Sequence, residues 1–179
     1  MPTGLVQPDT TAFLVIDEQE RLMPVIHESQ RVFDNTNKLI EGARILGVDL
    51  WVTEQYPKGL GGTCPEVELG DHQPFEKTCF SCMLLDEVAS RVAGKRSLVL
   101  CGVEAHICVL KTALDALSKG FEVHVVADAV SSRTPENHRY ALERLRQSGA
   151  YIVSTEMILF QLMDYAGTDE FKAISRLIK

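Results

Sequence analysis

The segment SLVLCGVEAHICVLKTALDAL, residues 97–117, decides the fold of this chain. It opens with an apolar run at residues 98–101 that stops at Gly102, which is typical of a central parallel strand covered on both faces. From Cys108 onward, apolar residues recur with the spacing that predicts an amphipathic helix. The segment therefore predicts a strand followed directly by a helix, with Cys108 at the junction.

Cys108 is predicted where unpaired backbone N–H groups and the positive end of the helix dipole favour a negative charge. This position predicts a thiol shifted toward thiolate, and hence a reactive cysteine. The competing interpretation is a small residue of the hydrophobic core, which is the commonest fate of a free cysteine. The segment alone leaves both interpretations open.

Two charged residues are predicted at the same edge of the sheet. Asp17 ends the apolar run at residues 12–16, and Lys77 lies beside a predicted short strand. Because the carboxyl ends of parallel strands gather at one edge of an open sheet, these side chains and Cys108 are expected to converge there. Taken alone, Lys77 would be interpreted as an ordinary surface lysine.

The chain resembles the isochorismatase-like cysteine hydrolases in three motifs that occur in the same order: Asp17, Lys77 and GVEAHICV at residues 102–109. The resemblance covers nearly the whole chain and includes residues 17–19 and 128–133. The sequence around Cys108 is most similar to that of small isochorismatase-domain proteins, whose physiological substrate is generally unassigned.

The resemblance implies a metal-independent hydrolase that acts on a small amide, an imide or a related molecule. Asp17 would take the proton of Cys108, and the sulfur would form a thioester-like intermediate that water then hydrolyses. Lys77 would hold Asp17 ionised and lower the pKa of the thiol. The alternative is a non-catalytic scaffold or partner-binding protein that retains the fold and these residues.

The resemblance also implies an oxyanion hole made by the backbone N–H groups of Glu104 and Cys108, with a cis peptide bond between Val103 and Glu104. Gln19 and Tyr56 are candidate substrate-binding residues, although Gln19 is equally typical of a solvated loop. The Glu104 side chain is expected to cap the turn.

Two other motifs suggest competing chemistry. His106, two residues before Cys108, suggests a Cys-His catalytic dyad, but side chains two residues apart at the start of a helix do not face each other. Cys79 and Cys82 form a C-x-x-C, which is compatible with a redox pair or half of a zinc site, although a second pair with matching spacing is absent.

The long loop at residues 54–62 bears on metal binding. Nicotinamidases, which are relatives within the resembled group, carry an Asp and His pair here as metal ligands, whereas this chain has Glu54, Gln55 and Tyr56. His72 is nearby without that partner pattern. The sequence therefore predicts no catalytic metal and no other cofactor, and it disfavours nicotinamide as the substrate.

Composition limits the partners and the compartment. The net charge is −7 with basic residues scattered along the chain, which disfavours nucleic acid because backbone binding needs a basic face. Five cysteines without small-domain spacing favour a reducing compartment. The amino end lacks the pattern of a secretory signal, and no apolar run approaches the ~18 residues of a membrane span. A cytoplasmic protein with a small-molecule substrate is expected.

Strands alternate with helices throughout, which predicts a single domain at residues 1–179 folded as a three-layer α/β/α sandwich. The pattern alone supplies five or six strands, and the resemblance suggests a mostly parallel sheet of six. A helix is predicted at residues 29–46 with Gly47 as its stop, and a later strand at residues 121–127 is expected to end at Asp128. A homo-oligomer is expected by resemblance, with the carboxyl-terminal helices as a source of apolar contacts.

Overall fold

Six strands form the central sheet in the computed structural model, which describes residues 3–179. Their spatial order is β3-β2-β1-β4-β5-β6, and every neighbouring pair is parallel. The strands are β1 Thr11–Ile16, β2 Asp49–Gln55, β3 Phe75–Lys77, β4 Ser97–Gly102, β5 Glu122–Val130 and β6 Tyr151–Val153. The predicted three-layer sandwich is confirmed, and its sheet is parallel throughout rather than mostly parallel.

Seven α-helices connect and cover the strands within the described residues. They are α1 Ser29–Leu46, α2 Pro57–Leu60, α3 Asp86–Val92, α4 Leu110–Ser118, α5 Pro135–Gln147, α6 Thr155–Gln161 and α7 Asp169–Ile178. Short 3₁₀ turns occupy Pro8–Thr10, Met23–Val25 and Cys82–Leu84, and one π-helical turn occupies Ala105–Val109. Met1 and Pro2, included in the predicted domain, lie outside the described residues.

The apolar core consists of two clusters, one on each face of the sheet. Phe13 and Val15 of β1 belong to the cluster that also holds buried residues of α1, α6 and α7. Leu14 and Ile16 belong to the cluster formed with α3, α4 and α5. All six residues of β1 are buried, because successive side chains of this central strand enter opposite cores.

Element boundaries follow the predictions with two differences. α1 ends at Gly47, whose φ of 68° is the left-handed conformation that glycine favours at a helix end. β5 continues past Asp128 to Val130, and its pairing with β4 shifts register between Leu100 and Gly102. The helix predicted to start at Cys108 begins instead with the π-helical turn, so that Cys108 lies within that turn.

Gly102 allows the ends of β1 and β4 to approach closely. Its φ is 98°, and a Cβ atom at this position would lie 2.1 Å from the carbonyl oxygen of Ile16. The same oxygen accepts a hydrogen bond of 2.8 Å from the N–H of Val103. The residue after β1 and the turn after β4 are therefore held next to each other.

Across residues 3–179, none of the helices combines the length and the apolar character that crossing a membrane requires.

Candidate active site

The three residues predicted to converge come from three different strand ends. Asp17 follows β1, Lys77 is the last residue of β3, and Cys108 lies in the turn after β4. The Nζ atom of Lys77 is 2.7 Å from Oδ2 of Asp17, and both side chains are fully buried. Cys108 and Asp17 line the same cavity, and the negative charge of Asp17 raises the pKa of the Cys108 thiol. The structure thus brings a carboxylate, an ammonium and a thiol into one cluster.

The Asp17 carboxylate is fixed from both sides. Oδ1 accepts a hydrogen bond of 2.8 Å from the hydroxyl of Thr53, and Oδ2 accepts from Lys77. The backbone N–H of Asp17 donates to the carbonyl of Thr53 at 3.1 Å, and the Asp17 φ of 56° turns the chain out of β1. Charge-assisted contacts of this kind orient a carboxylate as well as stabilise it.

Lys77 donates to three acceptors. They are Oδ2 of Asp17 at 2.7 Å, Oε1 of Gln55 at 2.7 Å and the carbonyl of Phe80 at 3.4 Å. Burial is the largest single influence and lowers the pKa of Lys77, but Asp17 together with Cys82 and Cys108 outweighs it, so the pKa of Lys77 is raised. Lys77 is therefore a buried, fully charged ammonium that uses its protons to hold its neighbours.

The Cys108 thiol is protonated at rest, which reverses the expectation from the sequence. Burial raises its pKa, the negative charge of Asp17 raises it further, and Lys77 lowers it by less. The side chain is 6% exposed, and Sγ lies 3.9 Å from Oε1 of Gln55. The strand-helix junction was predicted correctly, but desolvation beside a carboxylate dominates over the helix terminus.

The backbone bends sharply between β4 and Cys108. The peptide bond between Val103 and Glu104 is cis. The N–H of Ala105 donates to the carbonyl of Ser131 at 2.7 Å, whereas the N–H of Glu104 has no hydrogen-bond partner among the described residues. The Glu104 side chain lies to one side, where Oε2 accepts from the backbone N–H and the Nε of Arg133 at 3.1 and 3.0 Å.

A small cavity of about 110 Å³ opens above the thiol. Most of its surface is apolar, and Asp17 and Cys108 are among the residues that line it. It is lined by Asp17, Leu22, Gln55, Leu60, Phe80, Glu104, Ile107 and Cys108. Leu60 comes from the loop at residues 54–62, which therefore contributes to the wall of the site. Larger surface hollows, such as one of about 510 Å³ beside Trp51 and His72, lack the cysteine cluster.

The two candidate substrate-binding residues do not line this cavity. Gln19 is fully buried, and its amide donates to the carbonyls of Gln55 and Gly61 and accepts from the N–H of Gln55. The side-chain amide of Gln19 is therefore hydrogen-bonded to backbone groups at the end of β2 and in the loop at residues 54–62, and it holds the two together. Tyr56 is 54% exposed and lines a neighbouring hollow with Cys79. Their contact with a substrate stays a prediction.

The residues of the competing motifs have other partners. His106 places Nδ1 2.9 Å from the hydroxyl of Ser132. Cys79 and Cys82 are free thiols, and Cys82 is buried 3.7 Å from the hydroxyl of Thr53. Within residues 3–179, no group of three or more His, Cys, Asp or Glu side chains is arranged to hold a metal ion.

Sequence reasoning missed two polar residues of the cluster. Thr53 and Gln55 both lie at the carboxyl end of β2, between the strands that carry Asp17 and Lys77. The strand-end argument that selected Asp17 applies equally to them, because β2 ends at the same edge. The apolar wall residues had no local signal, since they come from separate loops and turns.

The fold and the cluster define an α/β protein with a buried thiol, carboxylate and ammonium at the carboxyl edge of a parallel sheet. The family model described as "Isochorismatase domain" matches residues 11–157. The chain belongs to the isochorismatase family of hydrolases, which confirms the resemblance found in the sequence.

Among known relatives, "Isochorismatase domain-containing protein 1" of Danio rerio is 44% identical over 98% of this chain, which spans 63% of that protein's length. "Secreted isochorismatase effector Isc1" of Phytophthora sojae is also 44% identical, over 98% of this chain and 88% of its own length. The solved structure titled "Structure of MAR1 Ribonuclease from Caenorhabditis elegans" has a TM-score of 0.92 and 36% identity, covering 97% of this chain and 91% of that one.

Proposed function

We propose that this protein is a metal-independent cysteine hydrolase of a small amide, imide or related substrate, with Cys108 as nucleophile, Asp17 as general base and Lys77 as its positioning cation. The observation that carries the proposal is that Cys108 and Asp17 line the same cavity, where Asp17 is oriented by Thr53 and Lys77. A nucleophile beside an oriented base is the arrangement that covalent catalysis needs.

In the first step, the sulfur of Cys108 attacks the substrate carbonyl while its proton passes to Asp17. Because burial and Asp17 raise the pKa of the thiol, proton transfer accompanies the attack rather than preceding it. The amine leaves with a proton returned from Asp17, and the acyl group remains on the sulfur as a thioester.

The negative oxygen of the tetrahedral intermediate needs hydrogen-bond donors. The N–H of Glu104 has no partner among the described residues and belongs to the turn that carries Cys108. We assign this N–H and that of Cys108 to the oxyanion hole. Loss of one such donor typically costs ~10²–10³ in kcat.

In the second step, water attacks the thioester and Asp17 accepts its proton. The C–S bond then breaks and Asp17 returns the proton to the sulfur, so that the products are the carboxylic acid and the free Cys108 thiol and one water is consumed per amide hydrolysed. Lys77 keeps Asp17 oriented through both steps, and Gln55 and the Phe80 carbonyl fix Lys77 in turn.

A screen of primary amides and cyclic imides, comparing wild type with Cys108→Ala, tests this proposal. Cys79→Ala is the matched control, because it removes a free thiol outside the cavity. Hydrolysis that disappears with Cys108→Ala and persists in the control supports the nucleophile. Activity that survives Cys108→Ala, or a protein that binds the screened compounds without turnover, favours another nucleophile or the non-catalytic scaffold.

The ribonuclease activity named for the Caenorhabditis elegans structure finds little physical support in this chain. RNA binding relies on basic surfaces, whereas the net charge here is −7, and the cavity of about 110 Å³ is small for a nucleotide. The proposal therefore retains a small-molecule substrate.

Localisation and assembly complete the proposal. Five free thiols support a reducing compartment, so we propose the cytoplasm, although one relative is named a secreted effector.

We also propose that the protein forms a homo-oligomer. Light scattering would measure the mass of this assembly. The carboxyl-terminal helices stay the predicted source of its apolar contacts; on α7, Ile174 is buried in the core of the same chain and Leu177 is partly buried.

A further inference from the structure

The wall of the cavity over Cys108 is apolar above its polar floor. Leu22, Leu60, Phe80 and Ile107 form it, and no lysine, arginine or histidine is among the described residues that line it. A substrate bound next to the thiol therefore contacts mainly hydrocarbon side chains.

The two carboxylates that touch the cavity already have cationic partners outside it. Asp17 is paired with Lys77 at 2.7 Å, and Glu104 with Arg133 at 3.0 Å. Neither cation lines the cavity. An anionic substrate group would lie near two carboxylates and would find no unpaired cation in the cavity lining. A cationic group would find both carboxylates already paired with Lys77 and Arg133. Either charge would lose hydration without gaining a counter-ion.

The geometry points to a neutral substrate with a short apolar acyl group as the one this site hydrolyses, an inference that rests on the proposed hydrolase function. Carboxylate-bearing substrates are rejected by the walls rather than by the catalytic residues. Phe80 is the main specificity-determining residue, because it lines the cavity and, at 58% exposed, is the apolar lining residue most open to solvent.

The volume sets the length of the acyl group. A cavity of ~150 Å³ holds benzene, so a cavity of about 110 Å³ holds roughly four or five non-hydrogen atoms. Acyl groups from acetyl to butyryl fit this space, and hexanoyl exceeds it. Phe80→Ala is expected to extend the accepted length.

Alkylation of Cys108 measures the charge preference without requiring turnover. Iodoacetamide and iodoacetate are nearly equal in size and differ by one negative charge, and each rate is divided by the rate of the same reagent with glutathione. The normalised ratio of amide to acid in the wild type is expected to be at least about tenfold, which corresponds to about 1.4 kcal/mol. Peptide mass spectrometry assigns the label to Cys108.

Two arginine variants locate the source of that preference. Phe80→Arg places a cation at the cavity mouth and keeps the hydrogen bond to Lys77, because that bond uses the backbone carbonyl of Phe80. It is expected to lower the ratio about fivefold or more. Leu84→Arg is the matched control, since Leu84 is 62% exposed and lines the neighbouring hollow instead. A thermal melt shows that both variants are folded.

The inference is overturned if the wild-type ratio is near one, or if Leu84→Arg changes the ratio as much as Phe80→Arg. Hydrolysis of butyramide, hexanamide and succinamate separates this inference from the proposed function. Faster release of ammonia from succinamate than from butyramide would overturn the neutral-substrate inference and leave the hydrolase intact. Selective alkylation with no hydrolysis of any amide would overturn the proposed hydrolase function and leave the preference for neutral molecules intact.

Discussion

Asp17 and Glu18 are consecutive residues with fully buried side chains, yet their surroundings differ. Asp17 meets the Lys77 ammonium and the Thr53 hydroxyl. Glu18 receives one hydrogen bond of 2.6 Å, from Thr36 of α1 to Oε1, and its Oε2 has no partner within the described part of the chain. One carboxyl group lies in an ion pair, and its neighbour lies in an apolar core.

The difference shows that burial alone does not make a catalytic carboxylate. Burial raises the pKa of Glu18 to about 8, and the Thr36 hydrogen bond offsets only part of this effect. Glu18 is therefore a neutral acid near pH 7. Asp17 lies against a lysine whose charge is retained, so it can act as a base. A partner across the sheet, rather than the strand that both residues follow, assigns their roles.

The largest expected effect is that of Asp17→Asn. Loss of the proposed general base should lower kcat/KM by ~10²–10⁴ on any amide that the wild type hydrolyses. Glu18→Gln is the matched neighbour and should keep kcat/KM within about threefold, because its side chain does not line the cavity. Equal losses in both variants would contradict the distinction between the two carboxyl groups.

Lys77→Met tests the ion pair through stability. It leaves the Asp17 carboxylate buried without its cation, which should lower the free energy of unfolding by about 3–5 kcal/mol. Urea denaturation measures this loss. The double variant Asp17→Asn/Lys77→Met should recover part of it, since no unpaired charge remains. Strictly additive losses would show that the two side chains are not coupled.

Glu18→Gln should change how stability depends on pH. The pKa of Glu18 is about 8 in the folded protein and near 4.5 when the chain unfolds, so between these values the folded state holds a proton that the unfolded state releases. Wild-type stability relative to Glu18→Gln is thus highest below pH 4.5 and falls as pH rises toward 8, by up to about 1.4 kcal/mol per unit.

Denaturation of both proteins at pH 5, 7 and 9 measures that difference. The control is Glu20→Gln, which removes an exposed carboxylate two residues further along and should leave the wild-type pH dependence unchanged. A parallel pH dependence in wild type and Glu18→Gln would show that Glu18 is ionised in the folded protein at neutral pH.

The smallest expected effect is that of Thr36→Val, which removes the one hydrogen bond to Glu18 while keeping the side-chain shape. The free energy of unfolding at pH 5 should fall by about 1 kcal/mol. Because this bond lowers the pKa of Glu18, its loss should also move the pH-dependent decline toward higher pH. A decline that moves toward lower pH would contradict this assignment.

Local pattern was sufficient for the alternation of strands and helices, the ends at Gly47 and Gly102, and the selection of Asp17 and Cys108 at strand ends. Lys77 needed the family resemblance, since an isolated lysine in a short segment carries little information. Thr53 and Gln55 were within reach of the same strand-end argument.

The sequence by itself determined the order of the strands along the chain, the edge where their ends meet, and the residue types gathered there. Only the tertiary structure decided that the Cys108 thiol is protonated, that Gln19 is tied to the backbone, and that the Glu18 carboxyl group is buried with a single hydrogen bond, from Thr36. The physical reason is how far apart in the sequence the interacting groups lie. Periodicity is set by neighbours in sequence, whereas desolvation, charge pairing and cavity shape are set by groups that folding brings together from distant segments.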